Sequence, residues 1–328
     1  MSQALQSRRA VVRGVGHYLP ARRVENVEFE ASLETNDAWI RSRTGIERRH
    51  LASQGETTSA MGASAARSAL EDAELSIRDI DAIILATSTA DYTFPSAATM
   101  IQNALGMEHG FAFDLQAVCA GFVFALSTAN AMITSGQARR VVVIGAETFS
   151  NLMDWEDRTT CVLFGDGAGA LVLEAQDAAD NPHDRGILAT ELNSDGRYKD
   201  ILYVDGGVST GETGYLRMSG QEVFRHAVEK LSRSALDTLQ AADVTPDDVT
   251  WIVPHQANIR ILQAVSKRLG IPMERVVTTL QDHGNTSAAS IPLALSVAKS
   301  RGQLALGDLV VTGAIGGGLA WGTVVLRW

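Results

Sequence analysis

Short runs of continuous apolar residues alternate along the chain with longer segments in which apolar residues recur at helical spacing. The continuous runs are rich in Val, Ile and Leu, and they predict strands at 10–16, 82–88, 140–148, 169–175, 251–256, 308–316 and 323–328. The helical spacing predicts helices at 59–73, 121–136, 220–242 and 259–270. Strands without alternating polar positions are typical of sheets covered on both faces, so the pattern predicts an α/β fold.

The same order of strands and helices occurs twice along the chain. Four pairs of similar segments lie 166 to 169 residues apart: 68–73 with 234–239, 78–86 with 246–255, 122–126 with 291–295 and 139–146 with 307–314. A separation this constant indicates a duplicated α/β unit. We therefore divide the chain into an N-terminal half, 1–175, and a C-terminal half, 176–328, and we expect a site where corresponding loops of the halves meet.

Composition and charge narrow the function classes. A chain of 328 residues, 45 % hydrophobic and 20 % charged, fits one large or two fused globular domains. No apolar run is long enough to cross a membrane, and the first 20 residues lack the apolar core of a signal peptide. A net charge of −10 disfavours a nucleic-acid partner. The two cysteines, Cys119 and Cys161, form neither a disulfide framework nor a zinc spacing, so we expect a reducing cytoplasm.

The candidate chemistry starts at Cys119, which lies between small residues where a predicted helix begins. A lone buried cysteine or histidine is usually a packing residue, and a lone asparagine in a Gly-rich stretch is usually a turn residue. The repeat, however, places His255 and Asn285 in the C-terminal half at positions that face Cys119. Together they form a chemical set. The helix N-terminus should lower the pKa of the thiol nucleophile, and the other two side chains can donate to an oxyanion.

Seven motifs, spread over nearly the whole chain, occur in the order of one enzyme family. They are TNDAWIRSRTGIERRH (35–50), TFPSAA (93–98), AVCAGF (117–122), FGDGAGA (164–170), VPHQAN (253–258), HGNTSAAS (283–290) and GGGLAWG (316–322). On these motifs the sequence resembles β-ketoacyl-acyl-carrier-protein synthase III, a condensing enzyme of the thiolase superfamily. The resemblance implies a thiolase-like, duplicated five-layer α-β-α-β-α fold and a homodimer.

The resemblance also implies a two-step reaction that starts fatty acid synthesis. Cys119 takes a short acyl group from acyl-CoA as a thioester, and malonyl-acyl carrier protein then loses CO2 and attacks that thioester through its carbanion. His255 and Asn285 would hold the enolate oxygen, while the backbone N–H groups of Cys119 and Gly317 would hold the thioester oxygen. Both thioesters are substrates, so we expect no cofactor and no metal.

The same residues separate this chain from three other classes that use a cysteine. Thiolases use a second cysteine as base, but Cys161 lies in the N-terminal half at no matching position. Synthases of the hydroxymethylglutaryl-CoA type use a glutamate ahead of the cysteine, and Glu108 is an acid in that region whose role the sequence leaves open. A papain-like hydrolase would need other motifs around the cysteine, and the duplication argues against it.

Further binding residues follow from the resemblance alone. For CoA it implies Trp39 and Arg158 around the adenine, Arg43 near the phosphates, and a pantetheine tunnel lined by Gly220, Phe224, Ala257 and Asn258. For the acyl pocket it implies Phe149, Leu163, Ile315 and a Phe94 that reaches across the dimer. For the acyl carrier protein it implies a positive helix face formed by Arg260, Lys267 and Arg268, which could also be an ordinary solvated face.

Two departures from the family pattern leave the specificity open. Ile315 stands where an aromatic residue usually precedes the glycines, and Thr159 stands where a glycine usually follows Arg158. One alternative is therefore a paralogue of the same mechanism that uses a longer or different acyl donor or acceptor in secondary metabolism. A second alternative, of a different class, is a catalytically silent dimer partner or carrier-binding module, whose expected signature is loss of one member of the Cys/His/Asn set.

Overall fold

Two sheets carry the fold, one from each half of the repeat. The computed structural model describes residues 8–177 and 185–328. The strands are β1 (Arg8–Tyr18), β2 (Arg22–Glu25), β3 (Arg48–Leu51), β4 (Ala82–Ala86), β5 (Phe111–Leu115), β6 (Arg140–Glu147), β7 (Gly167–Asp177), β8 (Gly186–Ser194), β9 (Leu202–Val204), β10 (Leu216–Met218), β11 (Trp251–Ile252), β12 (Leu309–Gly316) and β13 (Ala320–Arg327). The helices are α1 (Asp37–Thr44), α2 (Thr58–Asp72), α3 (Ala97–Leu105), α4 (Gly121–Thr134), α5 (Gly220–Ala241), α6 (Ile259–Leu269), α7 (Leu280–His283) and α8 (Ser290–Ser300).

The two sheets have the same strand order. The first runs β1-β7-β6-β4-β5, with β4 parallel to both β5 and β6 and with β7 antiparallel to β6 and β1. The second runs β8-β13-β12-β11, with β11 parallel to β12. Where β5 has its counterpart, the second sheet keeps a single parallel bridge between Ile252 and Val276. The boundary between the halves at residue 175 stays a prediction, because residues 178–184 lie outside the described chain.

Apolar clusters arrange these elements in five layers. Helices α2 and α3 cover one face of the first sheet, and α5 and α6 cover one face of the second. The other faces of both sheets meet α4 and α8, whose residues Phe122, Leu126, Ile291 and Leu295 are 0–1 % exposed. Because the central helices are apolar on every side that meets a sheet, they bury the largest core of the molecule. This is the α-β-α-β-α arrangement expected from the sequence.

The backbone itself repeats with a separation of 169 residues. Strands β6 and β12 have matching bounds at this separation, and so do two short 3-10 turns, Val118–Ala120 and Ser287–Ala289. All four non-glycine residues with positive φ in the described ranges also form two such pairs: Glu74 with Asp243 at 55° and 54°, and Val118 with Ser287 at 49° and 48°. Left-handed backbone is costly for these residue types, so its recurrence at matched positions identifies two copies of one architecture.

The helices predicted from spacing agree with α2, α4, α5 and α6. The apolar run predicted as a strand at 251–256 is wrong in its second part, because β11 ends at Ile252 and the polar side chains after it lie on a loop. Within the described residues, no helix combines the length and apolar character that crossing a bilayer requires.

Candidate active site

A cavity of about 600 Å³ opens between the two halves and brings the Cys/His/Asn set together. Cys119 from the N-terminal half and His255 and Asn285 from the C-terminal half all line it. The three side chains come from the turn before α4, the loop after β11 and the loop before α8. The duplication therefore places three residues that are far apart in sequence around one space, as the repeat predicted.

Cys119 lies on a sharp turn between β5 and α4. Val118, just before it, has a φ of 49°, and residues Val118–Ala120 form a 3-10 turn that leads directly into the helix. A β-branched residue in left-handed backbone is strained, and such strain is often found where a side chain must point into a site. Gly316 packs on this turn so closely that a Cβ there would come within 2.7 Å of the Cys119 nitrogen.

The expected low pKa of the thiol is wrong for the substrate-free site. Cys119 is 5 % exposed, and burial raises the pKa of its thiol to about 12. A hydrogen bond from Ser287 favours the thiolate but does not offset the loss of water. Cys119 therefore holds its proton at neutral pH, and it needs a proton acceptor when it attacks.

His255 is held as a neutral donor toward the cavity. Its Nδ1 lies 2.6 Å from the Oγ of Ser290, and burial lowers its pKa to about 4. The Ser290 hydroxyl oxygen already accepts a hydrogen bond from the backbone N–H of Gln256, which leaves the O–H to donate to Nδ1. The one ring proton of the neutral imidazole is then on Nε2, the nitrogen that does not face Ser290.

Asn285 also presents a donor. Its Oδ1 accepts a hydrogen bond of 2.9 Å from the backbone N–H of Ser287, so its Nδ2 group is the part left for the cavity. Its backbone is fixed on both sides, because its N–H donates to the Leu163 carbonyl and its carbonyl accepts from the Gly165 N–H. The site thus combines one thiol with two uncharged N–H donors, which suits stabilisation of a negative oxygen.

Sequence reasoning missed three residues that support this set. Ser287 hydrogen-bonds Cys119, Ser290 orients His255, and Glu147 at the end of β6 lies behind Ser287 with its side chain fully buried. Both serines lie within the motif at 283–290, so that motif contained a signal for them. Glu147 had none, because it follows an apolar strand and only the fold shows what it contacts.

Most of the residues assigned to CoA lie along the cavity and its mouth. The lining contains Trp39, Arg43, Gly220, Phe224, Ala257 and Asn258. Arg158 is outside the lining, but its guanidinium lies 5.4 Å from the centroid of the Trp39 ring, and that of Arg43 lies 4.9 Å from the same ring. A flat aromatic surface between two cations is suited to a planar base that carries phosphates.

The acyl-pocket and carrier residues divide into two groups. Phe149, Leu163, Ile315 and Arg260 line the cavity. Phe94 does not, since it is 83 % exposed, and Lys267 and Arg268 lie exposed on the last turn of α6. Gly317 is also outside the lining, although it follows the glycine that packs on Cys119. In the described part of the chain no group of three or more His, Cys, Asp or Glu side chains is arranged to hold a metal ion.

Comparison with known proteins matches these features to one family. The family model for 3-oxoacyl-[acyl-carrier-protein] synthase III matches residues 113–196, and the model for the C-terminal part of the same enzyme matches residues 239–328. The β-ketoacyl-[acyl-carrier-protein] synthase III of Ruegeria sp. (strain TM1040) is 71 % identical over 98 % of this chain and 100 % of its own length. That of Rhodobacter capsulatus is 69 % identical over 98 % of this chain and 99 % of its own.

Solved structures agree. The 3-oxoacyl-[acyl-carrier-protein] synthase III from Aquifex aeolicus VF5 superposes with a TM-score of 0.91 at 44 % identity, covering 97 % of this chain and 100 % of that one. The priming β-ketosynthase of the R1128 polyketide pathway superposes with a TM-score of 0.93 at 34 % identity, covering 99 % and 98 %. The family, the thiolase-like fold and the acyltransferase class predicted from sequence are therefore confirmed. This chain belongs to the β-ketoacyl-[acyl-carrier-protein] synthase III family, the condensing enzymes that initiate fatty acid synthesis.

Proposed function

We propose that this chain condenses a short acyl group, taken from acyl-CoA onto Cys119, with malonyl-acyl carrier protein. The observation that carries the proposal is the shared cavity, in which one thiol faces two uncharged N–H donors. A neutral His255 cannot replace a lost negative charge with an ion pair, but it can donate to an oxygen on which charge develops. That is what a decarboxylation to an enolate requires.

In the first step the Cys119 sulfur attacks the thioester carbon of acyl-CoA, and CoA leaves. The backbone N–H groups of Cys119 and Gly317 are the proposed donors to the oxygen of the tetrahedral intermediate. Support comes from the close packing of Gly316 on the Cys119 turn, which only a residue without a side chain allows. Splitting the reaction at a covalent thioester replaces one difficult step with two easier ones.

In the second step malonyl-acyl carrier protein loses CO2, and its carbanion attacks the acyl thioester. His255 Nε2 and Asn285 Nδ2 are the proposed donors to the enolate oxygen. The support is that both side chains have their other polar atom already occupied, by Ser290 and by the Ser287 N–H respectively. Donors fixed in this way need no rearrangement when the charge appears, which is the advantage of a preorganised site.

Two surfaces near the mouth fit the two substrates. For CoA the support is the stack of Arg43 and Arg158 on Trp39. For the acyl carrier protein it is the positive face of Arg260, Lys267 and Arg268, since within residues 8–177 and 185–328 none of these three forms a salt bridge. Unpaired cations on a chain of net charge −10 are suited to steering an acidic partner.

A homodimer is part of the proposal, with the cytoplasm as its location. Strand β5 is the edge of the first sheet, with its side chains only half buried, and the nearby Tyr92 and Phe94 are 61 % and 83 % exposed. An open edge strand beside exposed aromatics is typical of a surface that a second copy covers. Both cysteines are free and buried, which suits a reducing compartment.

The primer is proposed to be short, and a polyketide-type primer is the second candidate. Phe149 and Phe164 stack with ring centroids 5.1 Å apart, and Phe149, Leu163 and Ile315 close the cavity near the cysteine. The second candidate rests on the structural similarity to the R1128 priming β-ketosynthase at 34 % identity. Ile315 is smaller than the aromatic residue expected there, so it bears directly on how much room an acyl chain has.

The experiment is intact mass spectrometry after incubation with acyl-CoAs from acetyl to decanoyl. The proposal predicts one acyl adduct on Cys119, strongest for short chains, and none in Cys119→Ser. Asn285→Ala should still form the adduct but should lose CO2 release from malonyl-acyl carrier protein. An adduct with none of the donors would refute the acyl-CoA step, and a preference for long chains would replace the short primer with the second candidate.

A further inference from the structure

Glu147 is a buried carboxylate that the reaction above does not use. We propose that Glu147, acting through Ser287, takes the proton that Cys119 gives up on acylation, stores it while the acyl-enzyme exists, and returns it when the product leaves. The proposal rests on the proposed function, because it requires Cys119 to be the acylated nucleophile.

The contacts form a continuous path from sulfur to carboxylate. Ser287 hydrogen-bonds the Cys119 thiol, and its Oγ donates to Oε1 of Glu147 at 3.2 Å. The other carboxylate oxygen accepts from the hydroxyls of Thr89 at 2.5 Å and Thr87 at 3.2 Å, and the Ser88 N–H lies 3.1–3.2 Å from both oxygens. A hydroxyl between two titratable groups can pass a proton by accepting one and donating its own.

The environment of Glu147 lets its charge change. The residue is 0 % exposed, and its contacts in the described chain are hydroxyls and a backbone N–H rather than a cation. Burial raises the pKa of its carboxyl to about 7, and the neighbouring titratable group is Cys119, whose own pKa the carboxylate helps to raise. A carboxylate poised near neutrality can both accept and release a proton at working pH.

The repeat argues that this acid is not required by packing. Glu147 ends β6, and the matching position at the end of β12, 169 residues later, is Gly316. Each strand end meets the left-handed turn of the opposite half: Gly316 packs on the Cys119 turn, and Glu147 hydrogen-bonds Ser287. The same architecture is therefore built with no side chain at one of its two equivalent positions, and it carries the acid at the one that contacts Ser287.

The proton balance closes over one turnover. In acylation the S–C bond forms and the C–S bond to CoA breaks; the thiol proton moves to Ser287, the Ser287 proton moves to Glu147, and the CoA thiolate takes a proton from solvent. In condensation malonyl-acyl carrier protein loses CO2, the new C–C bond forms, and the sulfur of Cys119 leaves as a thiolate. Glu147 then returns its proton through Ser287. One solvent proton is consumed per turnover, which the overall decarboxylative condensation requires.

The test is the rate of acylation of the full-length protein by acetyl-CoA, measured by rapid quench without malonyl-acyl carrier protein from pH 5.5 to 9. The unaltered protein should accelerate through about pH 7, as the carboxylate forms, and then level off. Glu147→Gln keeps the size of the side chain but cannot accept the proton, so acylation should slow by roughly 10²- to 10⁴-fold and lose its plateau. Ser287→Ala should reproduce both effects.

A matched control is Glu191→Gln. Glu191 also accepts hydrogen bonds from two hydroxyls, those of Ser234 and Thr238, but it lies outside the cavity, so its rate and pH profile should equal those of the unaltered protein. Alkylation of Cys119 by iodoacetamide, followed by mass, gives a second readout that needs no substrate, and its plateau should disappear in Glu147→Gln as well.

Each outcome decides one point. Acylation of Glu147→Gln at the unaltered rate, or faster because a repelling charge is gone, would overturn the relay. If Glu147→Gln does not fold, Ser287→Ala decides, and a normal pH profile in that variant would overturn the relay. Failure of the unaltered protein to acylate from any acyl-CoA would instead overturn the proposed function and leave the alkylation profiles to judge the proton path.

Discussion

Replacing Ser290 with alanine should slow condensation and leave acylation unchanged. Ser290 is 2 % exposed, and its Oγ lies 2.6 Å from Nδ1 of His255, which is itself 5 % exposed. In Ser290→Ala the buried Nδ1 loses its hydrogen-bond donor, and the tautomer that carries the proton on Nδ1 becomes competitive. That tautomer has no proton on Nε2 to donate to the enolate.

The size of the effect follows from the cost of a buried polar atom without a partner. That cost is about 1–3 kcal/mol, which corresponds to a loss of roughly 5- to 150-fold in the rate of the step that needs the donor. The assay measures two rates on one preparation: CoA release in a single acylation, and CO2 release when malonyl-acyl carrier protein is added to the acyl-enzyme. Only the second rate should fall.

The chain offers a close control. Ser296 lies on the same helix as Ser290 and also contacts a histidine, with its Oγ 2.8 Å from Nδ1 of His17, yet it lies outside the cavity. Ser296→Ala should therefore keep both rates. CO2 release by Ser290→Ala within twofold of the unaltered protein would refute the role of this hydroxyl, and an equal loss of both rates would indicate a general disturbance of the site.

Three further predictions concern packing, pH and charge. Gly145→Ala places a Cβ 2.3 Å from a backbone oxygen of the facing half, so the free energy of unfolding should fall by about 1–3 kcal/mol, whereas Gly196→Ala, with nothing within 4 Å, should not destabilise by packing; unchanged urea midpoints for both would contradict this. Burial lowers the pKa of His283 to about 4, so the unfolded chain binds its proton first and stability falls as pH drops from 6.5 to 4; His283→Gln should flatten that fall, by up to about 1.4 kcal/mol per pH unit, and parallel curves would refute it. Arg260→Glu should raise the KM for malonyl-acyl carrier protein far more than that for acyl-CoA, with Arg78→Glu, an exposed arginine elsewhere, as control; equal changes in both KM values would exclude the docking face.

The elements that the sequence predicted well are those with a strong local pattern. Strands β4 and β6 are buried on both faces and have continuous apolar runs, and α5 has a clear apolar stripe. Strand β5 was missed because its five residues are only half buried at a sheet edge and one of them is the polar Asp114. The strand predicted at 251–256 was too long because an apolar run does not mark where a strand stops pairing.

The separation of about 169 residues was readable from sequence because both halves keep the same apolar spacing for the same packing. The set of Cys119, His255 and Asn285 followed from that separation and from the motifs around each residue. These are properties of local residue order, and they determine which side chains the fold brings to one place.

Other features depended on tertiary structure, because they depend on distance and water rather than on order. The pKa of Cys119 rises on burial, against the sequence expectation, because desolvation outweighs the helix N-terminus. The contact of Ser290 with His255 spans 35 residues and that of Ser287 with Glu147 spans 140, so no local pattern announces either one. The sequence by itself determined the family, the duplicated fold and the reacting residues, while only the packing of the two halves decided how each proton in the site is held.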